Sequence, residues 1–454
     1  MSNHLNADII VVGAGLVGLS AAISLALTHK KVVLVESQMP NTTEKTDEVN
    51  YEQGAKPEVV SGVETGFESD VEPGVESGVE SGVEPDAKKN AEQKDENKFK
   101  KMDETSSQPQ WDTRVYALTL GSIAWLESIG VWAYVDKSRL GTINQMQLCA
   151  NDSVEPLTLS DSDAHLAQLG LIIENANLKQ ALLQQINTLD VTRVNYENLN
   201  KIDYSKPNKI TLFFNTSASV SANVLVAADG VNSWIRAQTD VGVTVKPYNQ
   251  TAIVANFLAE FSHQNSAKQW FKNHDTLALL PLPGRTVSMV WSVSNTKSEQ
   301  LLRLNPQELA DVVFKHSRGV LGRLTPLGLT YSFALNQQTA NHLIANRIVF
   351  VGDSAHQIHP MAGQGVNLGF RDVMQLQQLL TQAHTMQDIG EHSYLRRYER
   401  NRSADIAAIN TLTSGLDWLF SREHATLNTG INWGFTQINK QSFLKRLLIQ
   451  AATA

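Results

Sequence analysis

Ile9-Ile10-Val11-Val12-Gly13-Ala14-Gly15-Leu16-Val17-Gly18-Leu19-Ser20-Ala21-Ala22-Ile23-Ser24-Leu25-Ala26-Leu27 is the stretch that decides the fold. Its four β-branched residues read as a short buried strand, the Ala- and Leu-rich part as a helix, and the glycines between them as a tight turn. Lys31 to Val35 then supplies a second apolar strand that ends at Glu36. Gly13, Gly15 and Gly18 satisfy G-x-G-x-x-G in the strand–turn–helix context that gives the pattern its meaning. The first glycine permits the turn, the second lets a pyrophosphate approach the backbone at the helix N-terminus, and the third lets helix and strand pack closely. Glu36, 18 residues beyond Gly18, stands where an acid accepts hydrogen bonds from the adenosine ribose. The motif implies a dinucleotide without separating FAD from NAD. Residues 9–27 carry no charge and match the length of a membrane span. The three glycines interrupt them, Asp8 precedes them and no basic leader runs into them, so neither a spanning helix nor a signal peptide is expected.

The βαβ pattern stops near residue 40. Between Asn41 and Gln110 stand 18 acidic and 8 basic residues, more negative charge than the whole chain's net −8, so the remainder is nearly neutral. This segment repeats Val71-Glu72-Pro73-Gly74, Val75-Glu76-Ser77-Gly78 and Val79-Glu80-Ser81-Gly82. With few large apolar groups it cannot bury enough surface to offset backbone ordering, and residues 41–110 are read as a disordered acidic low-complexity insertion. No face of the rest has the basic character of a nucleic-acid partner. The single cysteine, Cys149, excludes a disulfide framework and CxxC metal or redox sites, which points to a reducing cytoplasm. With 454 residues and 42% hydrophobic content, more than one domain is expected.

Order resumes at Trp111. Helical stretches are expected near residues 120–129 and 177–189, and a strand over residues 223–228. Residues 254–293 alternate β-branched and aromatic side chains, as a sheet does. Arg347-Ile348-Val349-Phe350-Val351-Gly352-Asp353 is a third apolar strand, ending in an acid, and the loop beyond it leads to Gly365-Val366-Asn367-Leu368-Gly369 at the head of another helix. An acid at a strand's C-terminal end suits a polyol chain, and a glycine-rich helix N-terminus offers N–H groups and positive dipole to an electron-rich ring edge. A flavin presents both in one molecule. The segment Val224 to Arg236 adds an Asp229-Gly230 turn, with Ser233 as a helix cap.

Together these three segments resemble the class A FAD-dependent aromatic hydroxylases. More narrowly, Asp112-Thr113-Arg114-Val115-Tyr116-Ala117-Leu118, Leu169-Gly170-Leu171-Ile172-Ile173-Glu174-Asn175 and His359-Pro360-Met361-Ala362-Gly363-Gln364-Gly365-Val366-Asn367-Leu368-Gly369-Phe370-Arg371-Asp372 resemble the ubiquinone-biosynthesis hydroxylase family of the UbiH/UbiF/UbiI type. The resemblance implies FAD as cofactor and NAD(P)H as co-substrate. It implies that Gly13, Gly15, Gly18 and Glu36 hold the ADP half, that Arg114 contacts the cofactor, and that Gly352 and Asp353 bind the ribityl chain. It further implies that Asp229 serves both FAD and NAD(P)H, and that Pro360, Gly363, Gln364, Gly365, Val366 and Asn367 lie against the isoalloxazine. Two departures are the insertion of roughly 70 residues before Arg114 and the sequence Asn273-His274-Asp275-Thr276 in place of a Gly-Pro turn.

The expected architecture is α/β: a discontinuous Rossmann-like FAD-binding domain, a second β-sheet substrate domain and C-terminal helices. Residues 1–40, 111–245 and 341–400 contribute to the FAD domain, the middle one with parts of the substrate domain; residues 246–340 form the substrate sheet and 401–454 the terminal helices. The activity implied is hydroxylation of the aromatic ring of a polyprenylated phenol by O2, through reduction by NAD(P)H and a flavin C4a-hydroperoxide. The chemistry is then borne by the flavin, with no catalytic triad and no metal site; His356 and His359 read as structural or capping. A flavin-dependent reductase of isoprenoid lipids and a non-catalytic flavoprotein subunit remain as alternatives. Trp270, Phe271 and Trp291 read as sheet core rather than a substrate pocket. Residues 431–449 form a basic amphipathic stretch that either packs on the flavin domain or gives peripheral contact with the inner membrane, where other ubiquinone-biosynthesis proteins are candidate partners.

Overall fold

Ile9–Val12 is buried at all four positions because it lies in the middle of a six-stranded sheet. The strands run in the order Ile344–Ala345, Ile348–Phe350, Val224–Ala227, Ile9–Val12, Val32–Ser37 and Val191–Tyr196, all parallel except the first. Strands covered on both faces carry continuous apolar runs rather than an alternating pattern, and Val224-Leu225-Val226-Ala227 and Ile348-Val349-Phe350 show the same total burial. Three segments far apart in sequence therefore become adjacent strands. The computed structural model describes residues 4–37, 111–150, 155–196, 199–216, 218–272, 274–358, 364–384, 386–420 and 425–453, which fall in one compact unit. The acidic insertion lies outside the described residues, as do His359, Pro360, Gly363 and Asn273.

Helix Leu16–Ala26 follows the first strand and is buried along nearly its whole length, packed against helices Gln364–Thr381 and Asn175–Ile186. Ser233 caps the short helix Trp234–Ala237 as the sequence indicates, accepting the Arg236 N–H at 2.9 Å.

The second layer is an eight-stranded sheet built mainly from Val243–Ala259, Ser266–Lys272, Asp275–Pro281, Thr286–Ser294 and Leu324–Ala340. It also recruits Gln145–Ala150 and Leu157–Ser160, two strands whose membership the sequence pattern does not reveal. Where the sequence departs from a Gly-Pro turn, Lys272 pairs with Asp275, with His274 at φ 65°. Alternation along Val243–Ala259 divides the sheet's faces. Ile253, Ala255 and Phe257 join Trp270, Trp291 and Val313 in a core beneath helix Pro306–His316, while Asn256 turns the other way and donates to the Asp112 carbonyl at 3.1 Å. Trp270, Phe271 and Trp291 are all buried in sheet cores.

That core holds a titratable group. His316 stacks on Trp291 with ring centroids 4.9 Å apart, and burial, reinforced by Lys297 and Lys272, lowers its pKa from 6.5 to about 4. The unfolded chain takes up a proton at His316 below pH 6.5 that the folded chain refuses. Stability from this group is thus complete above pH 6.5 and is lost as pH falls toward 4. His316→Phe should remove this slope, changing the stability difference between pH 7 and pH 5 by about 2 kcal/mol in urea melts.

The chain ends in helices His392–Phe420, Ala425–Lys440 and Ser442–Thr453. The last two dock not on the six-stranded sheet but beside the edge strand Leu157–Ser160, where Ile431, Phe435 and Ile449 are buried with Leu157, Leu159 and Phe271. Asn439 accepts the Thr158 N–H and donates to the Pro156 carbonyl, closing the open edge. Trp433, Phe443, Leu447 and Leu448 are left exposed on the outer side. Among the described residues no helix is long and apolar enough to cross a membrane.

Candidate functional site

The two glycine motifs, more than 330 residues apart in sequence, meet at Val17. A Cβ on Gly369 would fall 2.6 Å from Val17 Cγ2, and one on Gly352 3.2 Å from the same side chain. Val17 thus fills a notch that only glycines leave, locking helix Leu16–Ala26 to the Gly352 turn and to helix Gln364–Thr381. Within the first motif, Gly13 adopts φ 106° and passes under the Ala228 carbonyl, which a Cβ would meet at 2.3 Å. Gly18 sits on the Gly13 carbonyl, where a Cβ would be 1.9 Å away. Gly15, the helix cap, has nothing within 4 Å of its missing Cβ. Two glycines therefore serve packing, while Gly15, and Gly365 at the head of helix Gln364–Thr381, meet no described atom where a Cβ would stand.

Asp353 follows the Gly352 turn with its side chain open to solvent, although burial in the surrounding protein pushes its pKa up. His356 and Arg114 counter that upward shift and Asp372 adds to it, so four charged or titratable groups share the neighbourhood. Tyr116 belongs to it as well: burial raises its phenol, Arg114 opposes this and Asp353 adds to it. Arg114 lies over the Tyr116 ring at 5.8 Å. Asp229 lies beyond the strand Val224–Ala227; its Oδ2 accepts the Ile235 N–H at 3.0 Å, while its buried Oδ1 has no hydrogen-bond partner among the described residues. Burial raises its pKa too. Arg236 ties this turn to the next by donating to the Val231 and Ser354 carbonyls. Ser354 is wholly buried; its hydroxyl donates to the Ala227 carbonyl at 2.6 Å and accepts the Val351 N–H, a strand clasp rather than a nucleophile.

The other expected residues separate by role. Val366 is buried in the main core. Asn367 spends its side chain on the protein, donating to the Ala117 carbonyl at 2.8 Å and accepting the Thr119 N–H at 3.1 Å. It anchors the helix head to the Arg114-bearing segment. Gln364 begins the helix. Glu36 stands near the C-terminal end of strand Val32–Ser37, the neighbour of Ile9–Val12, 3.6 Å from Arg193, a solvent-screened pair that contributes little.

Two buried ionic clusters escape the sequence reading. Glu174 is bound in a fork by Arg139 Nε and Nη2 at 2.6 and 2.7 Å, and its Oε1 also accepts the Asp112 N–H. Asp112 in turn accepts the N–H groups of Arg114 and Ala176, and Arg139 lies 4.3 Å over the Trp111 ring. This cluster fixes the segment that carries Arg114. The second joins His356, Asp372 and Arg402 behind the Gly352 turn. Asp372 ends a motif visible in the sequence, but Arg402 and Arg139 stand in unremarkable helical and loop contexts with no pattern to expose them.

Two family models, each described as an FAD binding domain, match residues 8–45 and 200–413. The ubiquinone hydroxylase UbiL of Rhodospirillum rubrum is 30% identical over 346 residues, 75% of this chain and 80% of that protein. The 3-demethoxyubiquinol 3-hydroxylase of Escherichia coli is 29% identical over 350 residues, 76% and 88% of the two. Among solved structures, p-nitrophenol 4-monooxygenase PnpA from Pseudomonas putida shares the fold, with a TM-score of 0.69 at 14% identity over 100% of this chain and 99% of that one. Identity at this level across four fifths of UbiL, joined to two matched FAD-binding segments whose strands lie side by side, means that the chain belongs to the ubiquinone-biosynthesis hydroxylase family of FAD-dependent monooxygenases.

Proposed function

We propose that this protein hydroxylates the aromatic ring of a polyprenylated phenol in ubiquinone biosynthesis, consuming O2 and NAD(P)H. The observation that carries the reading is the convergence of the two glycine motifs on Val17, which leaves two open helix N-termini and the accessible Asp353 in one neighbourhood. An extended dinucleotide needs such a set: amide groups for its phosphates, an acid for its polyol and a second helix head for its ring edge.

When bound, FAD accepts hydride from NAD(P)H and activates O2 for transfer of one oxygen atom to an electron-rich ring. The chain's own residues bind and orient. Gly13, Gly15 and Gly18 take the pyrophosphate, Glu36 the adenosine ribose and Arg114 a cofactor oxygen; Asp353, presented by Gly352, takes the ribityl hydroxyls. Asp229, with its partnerless Oδ1, is assigned to the cofactor side, and Pro360, Gly363, Gln364, Gly365, Val366 and Asn367 to the ring side, Asn367 acting through the backbone it anchors. In this reading the six-stranded sheet is the FAD domain and the eight-stranded sheet the substrate domain. The latter's apolar side chains shield the reacting ring from water.

The test is turnover of a short-chain prenylphenol by FAD-loaded protein under labelled O2. One labelled oxygen atom in the product is expected. An unlabelled product would mark a reductase, and a flavin that NAD(P)H never reduces would mark a non-catalytic subunit; either overturns the proposal.

Access of a polyprenyl tail is assigned to the C-terminal helices. Trp433, Phe443, Leu447 and Leu448 are exposed beside the exposed cations Lys440 and Arg446, the arrangement of a helix lying in an anionic interface. Replacing Trp433, Phe443 and Leu447 together by serine should weaken sedimentation with phosphatidylglycerol vesicles at least about tenfold while leaving the melting temperature in place.

A further inference from the structure

Directly behind the Gly352 turn lies a buried charge cluster with no assigned role. Asp372, two turns into helix Gln364–Thr381, is fully buried. Its Oδ2 accepts the Gly352 N–H at 2.9 Å and meets His356 Nε2 at 2.6 Å, and its Oδ1 accepts Arg402 Nε at 2.7 Å. Arg402 also pairs with Asp405, which Arg371 approaches at 3.5 Å. Burial alone would raise the Asp372 carboxyl; His356, Arg402 and the Gly352 N–H outweigh it and hold the pKa below its usual range.

Removing such charges from water is costly, and apolar residues of equal volume often join two elements as firmly. What an ionic cluster adds is direction. Asp372 grips both ends of the turn 352–356: Gly352 by its N–H, in the φ 61° conformation, and His356 by its ring. Between those two points stands Asp353, open to solvent. Pairing of His356 with Thr339, the Tyr398 hydroxyl's bond to the Phe350 carbonyl and the Ser354 contacts with Ala227, Val351 and Arg236 hold the rest of the backbone, and Asp372 supplies the side-chain contact to Gly352, the residue that presents Asp353.

We propose that Asp372 is a positioning residue of the cofactor site, which with His356 and Arg402 sets the Gly352–Asp353 turn so that the Asp353 carboxylate meets the ribityl chain of FAD. The proposal rests on the assignment of Asp353 to that chain.

The test is a double-mutant cycle on full-length apoprotein titrated with FAD, read by quenching of flavin fluorescence. Asp372→Asn should raise the FAD dissociation constant about tenfold or more and alter the visible circular dichroism of the bound flavin. In an Asp353→Ala background the same change should shift it less than about threefold, because the contact it serves is already gone. An unchanged constant, or an equal loss in both backgrounds, overturns the proposal. Should Asp372→Asn fail to fold, His356 decides the matter. His356→Gln, which keeps a donor, should bind FAD within about threefold of the parent, whereas His356→Leu should lose about tenfold and only when Asp353 is present. Equal behaviour of the two overturns it. Wild-type protein that takes up no FAD would sink the proposed function instead.

Discussion

Gly18→Ala should yield a chain that purifies free of flavin and is destabilised by about 3 kcal/mol or more. The added methyl would lie 1.9 Å from the Gly13 carbonyl oxygen and 2.9 Å from its carbon, both main-chain atoms that no rotamer change can move. The helix must back away from the turn, and Val17, one residue earlier, leaves the notch formed by Gly352 and Gly369. Gly15→Ala is the control. Nothing stands within 4 Å of its Cβ, so its melting temperature should stay near the parent's while FAD occupancy falls, because the methyl enters the space assigned to the pyrophosphate. The ratio of visible to ultraviolet absorbance and a thermal melt separate the two. A Gly15→Ala protein with full flavin content would place the pyrophosphate elsewhere.

Arg139→Leu should cost about 3 kcal/mol, measured by urea unfolding, and should weaken FAD binding although Arg139 is not among the residues assigned to the cofactor. Glu174 is 2% exposed, and without its guanidinium fork it retains only the Asp112 N–H among the partners described above. A buried carboxylate left so poorly compensated is the expensive state. Converting both residues to leucine should therefore be milder than the single change, by about 1 kcal/mol or more. A double variant less stable than Arg139→Leu would show that the pair itself is strongly favourable. The effect on FAD follows from Asp112, which holds the Arg114 N–H at 2.9 Å and is itself held by Glu174.

These two cases show where the sequence is legible. Three apolar runs, residues 9–12, 224–227 and 348–350, carry their burial in their composition, and the glycines between strand and helix have a steric meaning that their spacing alone conveys. Gln145–Ala150 does not, because its half-buried positions near the edge of a large sheet lack a clean alternation, and Leu157–Ser160, which does alternate, is only four residues long and takes its pairing from that strand. Asn367 is legible as a motif residue but not in its action: only the fold shows its amide spent on Ala117 and Thr119. Arg139 and Arg402 are not legible at all, since an arginine that meets a buried carboxylate 30 or more residues away looks like any solvated arginine. The docking of the last two helices beside Leu157–Ser160 depends on which edge lies open, a property of topology rather than composition.

The strand order carries a consequence for synthesis. Ile9–Val12 pairs with Val224–Ala227, which pairs with Ile348–Phe350, so the centre of the six-stranded sheet cannot close until its third contributor has been translated. Val17 must wait longer still for Gly369. A nascent chain on the ribosome therefore exposes an unpaired, fully apolar strand edge through most of its elongation. Acquisition of the coenzyme must therefore await the emergence of Gly352 and Gly369.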